Sequence, residues 1–144
     1  IYLQHVRPLF DMLGCCRLQW VETGLPLEYY SKAFEAATGV EMSLDDMWMM
    51  GDRVYALVRA FWAREYGDEW GRHMDYPPER WFKHPLTEGA LAGKHLDKEK
   101  YDRLLGFYYE KRGWDSNGVP TKATMKKLGL AKEAEQLAET VELK

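Results

Sequence analysis

The sequence has only two cysteines among its 144 residues, and they are neighbours at positions 15 and 16. Adjacent cysteines form a disulfide only with strain, so the chain holds no disulfide framework. This cysteine usage is typical of a reducing compartment, and we expect a cytoplasmic location. Two thiols also cannot complete a metal site, because a structural site usually takes about four protein ligands.

Long apolar runs are absent as well, since no stretch approaches the roughly 18 residues that a membrane helix needs. The net charge is only −3 and both signs are mixed along the chain, which excludes the basic footprint of a nucleic-acid-binding protein. We therefore expect neither a membrane nor a nucleic acid as a partner. The first residues lack the pattern of a signal peptide and begin inside a helical pattern without an initiator methionine, so we expect a fragment of a longer protein.

The alternation of apolar and polar residues that marks strands is also missing, whereas apolar residues recur every three or four positions, as in amphipathic helices. The predicted helical segments are 1–13, 27–38, 44–66, 98–112 and the stretch from a cap at Thr121 to Gly129, and the charged tail 131–144 can be helical. We expect a loop over 17–26. The stretch 67–96 is predicted to be irregular, with one helical turn around 78–81.

The fold class that follows is all-α. We expect an irregular orthogonal bundle of about five to six helices that forms a single helical domain over residues 1–144. Hydrophobic residues make up 46% of the chain and aromatic residues 14%, enough for a core rich in large rings. On the longest helix the predicted apolar stripe consists of Met47, Met50, Val54, Leu57, Val58, Phe61 and Trp62.

Residues 11–16, Asp-Met-Leu-Gly-Cys-Cys, bring three kinds of binding group into one turn at the end of an apolar helix. A carboxylate can accept paired N–H donors from a flat heterocycle, a thiolate can bind iron, and a glycine allows a bulky ligand to approach the backbone. We interpret this turn as one wall of a site whose other walls lie outside the chain. Considered alone, Cys15 and Cys16 are better explained as small buried groups, and Asp11 as a solvated helix end.

A second group of segments lies further along the chain. Residues 108–121 read Tyr-Tyr-Glu-Lys-Arg-Gly-Trp-Asp-Ser-Asn-Gly-Val-Pro-Thr, and Leu-Gly-Leu follows at 128–130. Between the two groups lie Arg-Ala-Phe-Trp-Ala-Arg-Glu-Tyr-Gly at 59–67 and Pro-Pro-Glu-Arg-Trp at 77–81. In this order, and over nearly the whole chain to about residue 130, the segments resemble the C-terminal domain of the aldehyde:ferredoxin oxidoreductase family.

The resemblance implies an enzyme that contains tungsten or molybdenum in a bis-pyranopterin cofactor, together with a 4Fe–4S cluster. Such enzymes oxidise an aldehyde to a carboxylic acid and pass the electrons to ferredoxin. The implied partners are ferredoxin, the aldehyde substrate and the upstream domains of the same polypeptide, which would carry the remaining ligands. We expect the isolated fragment to bind neither tungsten nor a cluster and to be inactive, and we assign no catalytic residue to it.

The family pattern at the turn is Asp-x-x-Gly-Leu-Cys. The resemblance makes Asp11 the acceptor for the pterin ring, Gly14 the close-approach glycine and Cys16 the cluster ligand. Cys15 stands where the family has leucine and is expected to contribute through its backbone. It is also the alternative to Cys16 as the iron ligand. Trp62 stands where the family usually has asparagine, which indicates a divergent subgroup.

A non-catalytic alternative is a helical interaction module, in which the aromatic surface of residues 70–82 binds a partner protein. The four histidines show no metal-binding spacing, so surface or loop roles are expected for them. Arg59 and Arg64 are expected to form ion pairs with Asp52, Glu65 or their neighbours.

Overall fold

The computed structural model describes all 144 residues and is all-α, as predicted. It has no strand, and its only β-type pairing is an isolated antiparallel bridge between Trp114 and Pro120. The helices are α1 (Tyr2–Leu13), α2 (Leu18–Thr23), α3 (Glu28–Thr38), α4 (Leu44–Tyr66), α5 (Arg80–Lys83), α6 (Lys98–Arg112), α7 (Lys122–Lys127) and α8 (Ala131–Ala138), with 3-10 turns at Gly67–Glu69 and Arg72–Asp75. None of these helices combines the length and the apolar character that crossing a bilayer requires.

The two longest helices begin and end where their capping residues predict. Ser43 and Asp46 form a reciprocal capping box at the start of α4: the Ser43 hydroxyl accepts from the Asp46 N–H at 3.2 Å, and the Asp46 carboxylate accepts from the Ser43 N–H at 2.9 Å. Asp97 caps α6 by a single bond, in which its carboxylate accepts from the Lys100 N–H at 3.0 Å. These side chains satisfy backbone donors that have no partner inside a helix.

The predicted loop over 17–26 is wrong, because residues 18–23 form the short helix α2. Gly24 ends this helix in the left-handed conformation, with φ 66° and ψ 29°. The Trp20 ring packs against Phe10 of α1 at a centroid distance of 5.9 Å. Tertiary packing therefore stabilises a helix that is too short to be stable in isolation.

Helix α1 packs mainly on α4, and a small residue sets how closely the two approach. Gly51 of α4 is buried, and a β-carbon at this position would lie 3.0 Å from the carbonyl oxygen of His5 and 3.1 Å from its Cα. The adjoining N-terminal core consists of Val6, Leu9, Phe10, Tyr30 and Met47. This core fixes α3 and the first half of α4 beneath the end of α1, which places the turn at residues 11–16.

The predicted apolar stripe of α4 is only partly correct. Its beginning, Met47, is fully buried, but its last four members are exposed, namely Leu57, Val58, Phe61 and Trp62. The second core is instead built on the small residues of α4, which pack with α7 and α8, and its members are Ala56, Ala60, Ala63, Val119, Met125, Leu128, Leu130, Ala134 and Leu137. The reason is steric, because alanines let α8 approach closely and leave the large side chains on a different face of the helix.

Aromatic packing fixes the first part of the irregular segment 67–96. The rings of Tyr76, Phe82 and Tyr101 pack edge-to-face with centroid distances of 5.6–6.4 Å, and the Trp70 indole N–H donates to the Asn117 carbonyl at 3.1 Å. Trp81, however, is exposed. The aromatic residues of 70–82 therefore do not form one continuous exposed surface, which removes the basis for the interaction-module alternative.

A buried arginine links α1, α4 and α6. The Arg112 side chain is only 2% exposed, and its guanidinium donates to the Asp52 carboxylate and to the Gln4 side-chain carbonyl. The His5 ring nitrogen Nε2 also lies 2.8 Å from Asp52, and the Tyr108 hydroxyl donates to Gln4 at 2.8 Å. Asp52 thus pairs with Arg112 and His5. It does not pair with Arg59 or Arg64, which was one of the pairings expected from the sequence.

Candidate functional site

The turn at residues 11–16 is shaped by the way in which α1 ends. Gly14 adopts the left-handed conformation, with φ 66° and ψ 25°. The Cys15 N–H donates to the Phe10 carbonyl at 2.8 Å, and the Gly14 N–H donates to the Asp11 carbonyl at 3.3 Å. Paired bonds of this kind are the Schellman motif, which stops a helix and turns the chain sharply away from its axis. Cys15 and Cys16 consequently follow directly on the turn.

All four of the predicted site residues, Asp11, Gly14, Cys15 and Cys16, are exposed. Both thiols are free, and the only hydrogen bond of either runs from the Cys15 Sγ to the Leu13 carbonyl at 3.5 Å. Asp11 takes part in none of the ion pairs of the chain. The exposure of Asp11 and Cys16 agrees with the interpretation of the turn as one wall of a larger site, and the idea that the cysteines are small buried groups is wrong.

The space above Gly14 is open. A β-carbon built on this residue would have no heavy atom of the rest of the chain within 4 Å. Within this structure Gly14 is needed for its positive φ, a conformation that residues with a β-carbon rarely adopt. The backbone at Gly14 is therefore open on the side where a β-carbon would project.

A buried hydroxyl lies next to the turn, and the sequence interpretation missed its importance. Tyr30 of α3 is 5% exposed, and its hydroxyl has no hydrogen-bond partner. Its ring packs edge-to-face on Phe10, the residue whose carbonyl accepts from the Cys15 N–H, at a centroid distance of 5.1 Å. Burial, and next the thiols of Cys15 and Cys16, raise the pKa of the Tyr30 hydroxyl. Helical periodicity predicts that this residue is apolar-facing, but it carries no signal that the oxygen lacks a partner.

A second polar cluster surrounds Asp75, at the end of the second 3-10 turn after α4. The Asp75 carboxylate accepts from both terminal nitrogens of Arg59, at 2.7 and 3.1 Å, and from the Tyr109 hydroxyl at 2.5 Å. The Arg59 guanidinium also lies over the rings of Trp70 and Trp114, at 5.1 and 4.5 Å from their centroids. Burial, and next the bond to Asp75, raise the pKa of Tyr109 far above its ordinary value.

The expectation of ion pairs for Arg59 and Arg64 is thus confirmed, with Asp75 as the partner of Arg59 and Glu65, at 2.9 Å, as that of Arg64. The Asp75 cluster borders an open cavity of about 360 Å³, and Trp62 lies in its wall. The guanidinium and the carboxylate satisfy each other, so the arrangement fixes the segment after α4 against α6.

The donor set of the chain bears on metal binding. No group of three or more histidine, cysteine, aspartate or glutamate side chains lies close enough together to hold a metal ion. The exposed pair of thiols at 15 and 16 offers one ligand from either residue, and Asp11 offers a carboxylate on the same turn. The chemistry of this donor set suits a shared site, to which another part of a protein contributes further ligands.

Comparison with known proteins identifies the family. The family model described as aldehyde ferredoxin oxidoreductase, domains 2 and 3, matches residues 1–130. The chain belongs to the aldehyde ferredoxin oxidoreductase family. The resemblance noted in the sequence is therefore confirmed, and the family match favours the oxidoreductase interpretation over a non-catalytic interaction module.

Curated members of the family show the same extent of similarity. The chain is 30% identical over 130 residues to the tungsten-containing aldehyde ferredoxin oxidoreductase of Pyrococcus horikoshii, and 28% identical over 131 residues to that of Pyrococcus furiosus. These alignments cover 90% and 91% of this chain, but only 20% of each relative. The chain thus spans about a fifth of the length of the curated relatives that it matches.

Among solved structures, the chain is similar to the active-site complex BamBC of benzoyl coenzyme A reductase, in complex with 1,5-dienoyl-CoA. The TM-score is 0.60 and the sequence identity is 30%, with coverage of 76% of this chain and 15% of the other. The helical arrangement described above is therefore shared with part of that complex.

Proposed function

We propose that this chain, as one helical domain, forms one wall of the cofactor site in a tungsten- or molybdenum-dependent oxidoreductase. The full-length enzyme would oxidise an aldehyde to a carboxylic acid and pass the electrons to ferredoxin. The observation that carries the proposal is the exposed turn at 11–16, where a carboxylate, an open glycine and free thiols follow one helix end in a chain of this family. The two free thiols suit a reducing, cytoplasmic location.

The residues of the turn fit a planar pterin and an iron–sulfur cluster on neighbouring sides. Asp11 would accept hydrogen bonds from N–H donors of the pterin ring and so fix the orientation of the ring. Gly14 would let the ring approach the backbone, and the Cys15 backbone would complete the contact. Cys16 would ligate iron of a 4Fe–4S cluster as a thiolate, the form of cysteine that binds metals.

When bound, the metal with its two dithiolenes supplies the oxidation chemistry, and the cluster carries electrons away one at a time. The contribution of this chain is to bind, orient and shield. The Schellman turn holds its carboxylate and thiol in a fixed relation, because paired backbone hydrogen bonds close it. A residue that touches both groups is well placed to couple them, and Cys16 occupies that position in this assignment.

The remaining walls would come from upstream domains of the same polypeptide. Support comes from the length of the relatives and from a band of exposed large side chains on the second half of α4, namely Leu57, Val58, Phe61, Trp62 and Tyr66. An exposed apolar band of this kind on a helix of a packed protein marks an interaction surface. The other cluster cysteines and the second pterin carboxylate would lie in those domains.

A pair of cysteine substitutions in the full-length enzyme tests the assignment. Cys16→Ser removes the proposed cluster ligand, and Cys15→Ser changes the neighbouring exposed thiol by the same atom, so the second variant is a matched control. We expect the electron paramagnetic resonance signal of the reduced cluster to be lost or strongly altered in Cys16→Ser and retained in Cys15→Ser. An unaltered signal in Cys16→Ser would contradict the assignment, and loss only in Cys15→Ser would transfer the role to Cys15.

A further inference from the structure

An open cavity of about 600 Å³ lies between α5 and the segment that precedes α6, and backbone hydrogen bonds fix its frame. The Leu86 N–H donates to the Lys94 carbonyl at 2.9 Å, and the Gly93 N–H donates to the Leu86 carbonyl at 2.8 Å. The Leu96 N–H donates to the Trp81 carbonyl at 2.9 Å, so the loop is closed on itself and tied to α5. Small-molecule sites are usually preformed concave regions of about 300–1,000 Å³. The cavity therefore has the size and the fixed frame of a ligand site.

The polar residues that line this cavity are all basic. They are Arg80, His84, Lys94 and His95, and no aspartate or glutamate lies in the wall. None of the four takes part in the ion pairs of the chain, although the chain as a whole carries a net charge of −3. Basic groups gathered in a concave region attract an anion, and arginine and lysine are common partners of phosphate and carboxylate groups. The charge of the cavity thus favours an anionic ligand.

The rest of the wall is apolar and exposed. It consists of Trp81, Leu86, Leu91 and Leu96, whose exposed fractions lie between 40% and 55%. An exposed apolar cluster with polar groups beside it marks a binding site. An exposed indole ring also offers a face on which a flat ring can stack. The wall therefore favours a ligand that has a flat apolar part as well as a charge.

We propose that this cavity binds a small organic anion in which a flat apolar ring carries a phosphate or carboxylate group. The ring packs against Trp81 and the leucines, and the anionic group pairs with Arg80 and Lys94. A neighbouring domain that covered the cavity instead would bury these basic groups, which costs free energy unless anionic partners come with it. The inference does not depend on the proposed function, because no residue of the turn at 11–16 lines the cavity.

Isothermal titration calorimetry of the full-length polypeptide that contains this chain tests the inference. The probe is naphthyl phosphate, which combines a flat ring with an anionic group, whereas naphthol supplies the ring alone and inorganic phosphate the anion alone. We expect naphthyl phosphate to bind at the cavity, and each of the two parts to bind at least about tenfold more weakly, because each makes only some of the contacts. Naphthoate distinguishes the two anionic groups: tighter binding than that of naphthyl phosphate assigns a carboxylate ligand, and weaker binding assigns a phosphate.

Paired substitutions in the same polypeptide locate the binding. Arg80→Gln with Lys94→Gln removes two of the four basic groups of the wall, and Arg103→Gln with Lys132→Gln makes the same change at exposed residues that do not line it. The cavity variant should bind naphthyl phosphate at least about tenfold more weakly than the wild type, since each charge-assisted bond is worth about tenfold or more. The control variant should bind it as the wild type does.

Three results would overturn the inference. The first is equally tight binding of naphthyl phosphate by the cavity variant and the wild type. The second is binding of inorganic phosphate as tight as that of naphthyl phosphate, which would leave the apolar wall without a role. The third is no binding to the wild type, which would show that another part of the polypeptide fills the cavity. None of these results bears on the cofactor wall at residues 11–16, so the proposed function would stand.

Discussion

The open space above Gly14 leads to a test that separates folding from cofactor binding. Replacement of Gly14 by alanine adds one methyl group at a position with φ 66° and no neighbour within 4 Å. The chain provides a matched control at Gly24, which ends α2 with φ 66° and ψ 29°, against φ 66° and ψ 25° at Gly14. A β-carbon at Gly24 would likewise meet nothing within 4 Å.

The magnitude of the folding effect follows from backbone strain alone. A residue with a β-carbon pays about 1–2 kcal/mol in the left-handed conformation, and neither site adds a steric clash to this cost. Gly14→Ala and Gly24→Ala should therefore lower the free energy of unfolding of the chain by about 1–2 kcal/mol each. The two values should agree to within about 0.5 kcal/mol, since both sites are exposed and have the same geometry.

Only one of the two glycines lies on the proposed cofactor wall. In the full-length enzyme we expect Gly14→Ala to reduce the tungsten and pterin content severalfold, because the added methyl group occupies the space into which the ring would fit. Gly24→Ala should retain the content of the wild type. Urea unfolding followed by tryptophan fluorescence measures the first effect, and metal and pterin analysis of the purified enzyme measures the second.

The reasoning would be refuted in either of two ways. If Gly14→Ala binds as much tungsten and pterin as Gly24→Ala does, no ligand approaches the backbone at this turn. If Gly14→Ala destabilises the chain by several kcal/mol more than Gly24→Ala, the space above the turn is not open and the loss of cofactor would be a consequence of unfolding.

Two further predictions concern stability. Gly118→Ala should destabilise the chain by about 2–5 kcal/mol in urea unfolding. The backbone strain at φ 78° adds to a steric clash, because the new β-carbon would lie only 2.7 Å from the buried Tyr109 ring. Gly129→Ala, with φ 72° and open space around the β-carbon, should cost only the backbone strain. The bond from the Tyr76 hydroxyl holds the pKa of Asp102 below its ordinary value of 3.8, so the stability from this carboxylate is present above that pH and is lost as the pH falls through the lowered pKa. The difference in unfolding free energy between the wild type and Asp102→Asn should therefore shrink below about pH 4, and a constant difference down to pH 2 would contradict this.

Local signals in the sequence predicted the helix boundaries well. Ser43, Asp97 and Thr121 are side chains that accept from the first free N–H groups of a helix, and the structure shows each of them in that role. Gly67 and Gly113 follow the ends of the two longest helices, directly after the predicted ranges 44–66 and 98–112. These signals are short-range, so they can be read without knowledge of the tertiary structure.

The burial of α4 could not be read in the same way, because the helix has more than one apolar face. Periodicity identifies Phe61 and Trp62 as apolar, yet which face packs against α8 depends on how closely two helices approach, and small residues such as Ala60 decide that. The helix α2 was missed for a related reason. Its stability comes from the contact of Trp20 with Phe10, which no local pattern reveals.

The exposure of the candidate site was predictable, but its polar surroundings were not. A glycine after an apolar helix predicts the turn, and the family pattern points to Asp11 and Cys16. The sequence gives no indication that Tyr30 carries an unpartnered oxygen beside the turn, or that Arg112 is buried in a network with Asp52. Such features depend on long-range packing between helices that are far apart in the sequence.

The most direct test of the central claim is metal analysis of the purified full-length polypeptide that contains this chain, set against the isolated 144-residue chain. The account predicts tungsten or molybdenum and the iron of one cluster in the full-length protein, with electron transfer to ferredoxin when an aldehyde is supplied. It predicts neither metal in the isolated chain. A full-length protein that is folded but binds neither metal, or an isolated chain that binds stoichiometric iron, would contradict the claim that the turn is one wall of a shared cofactor site.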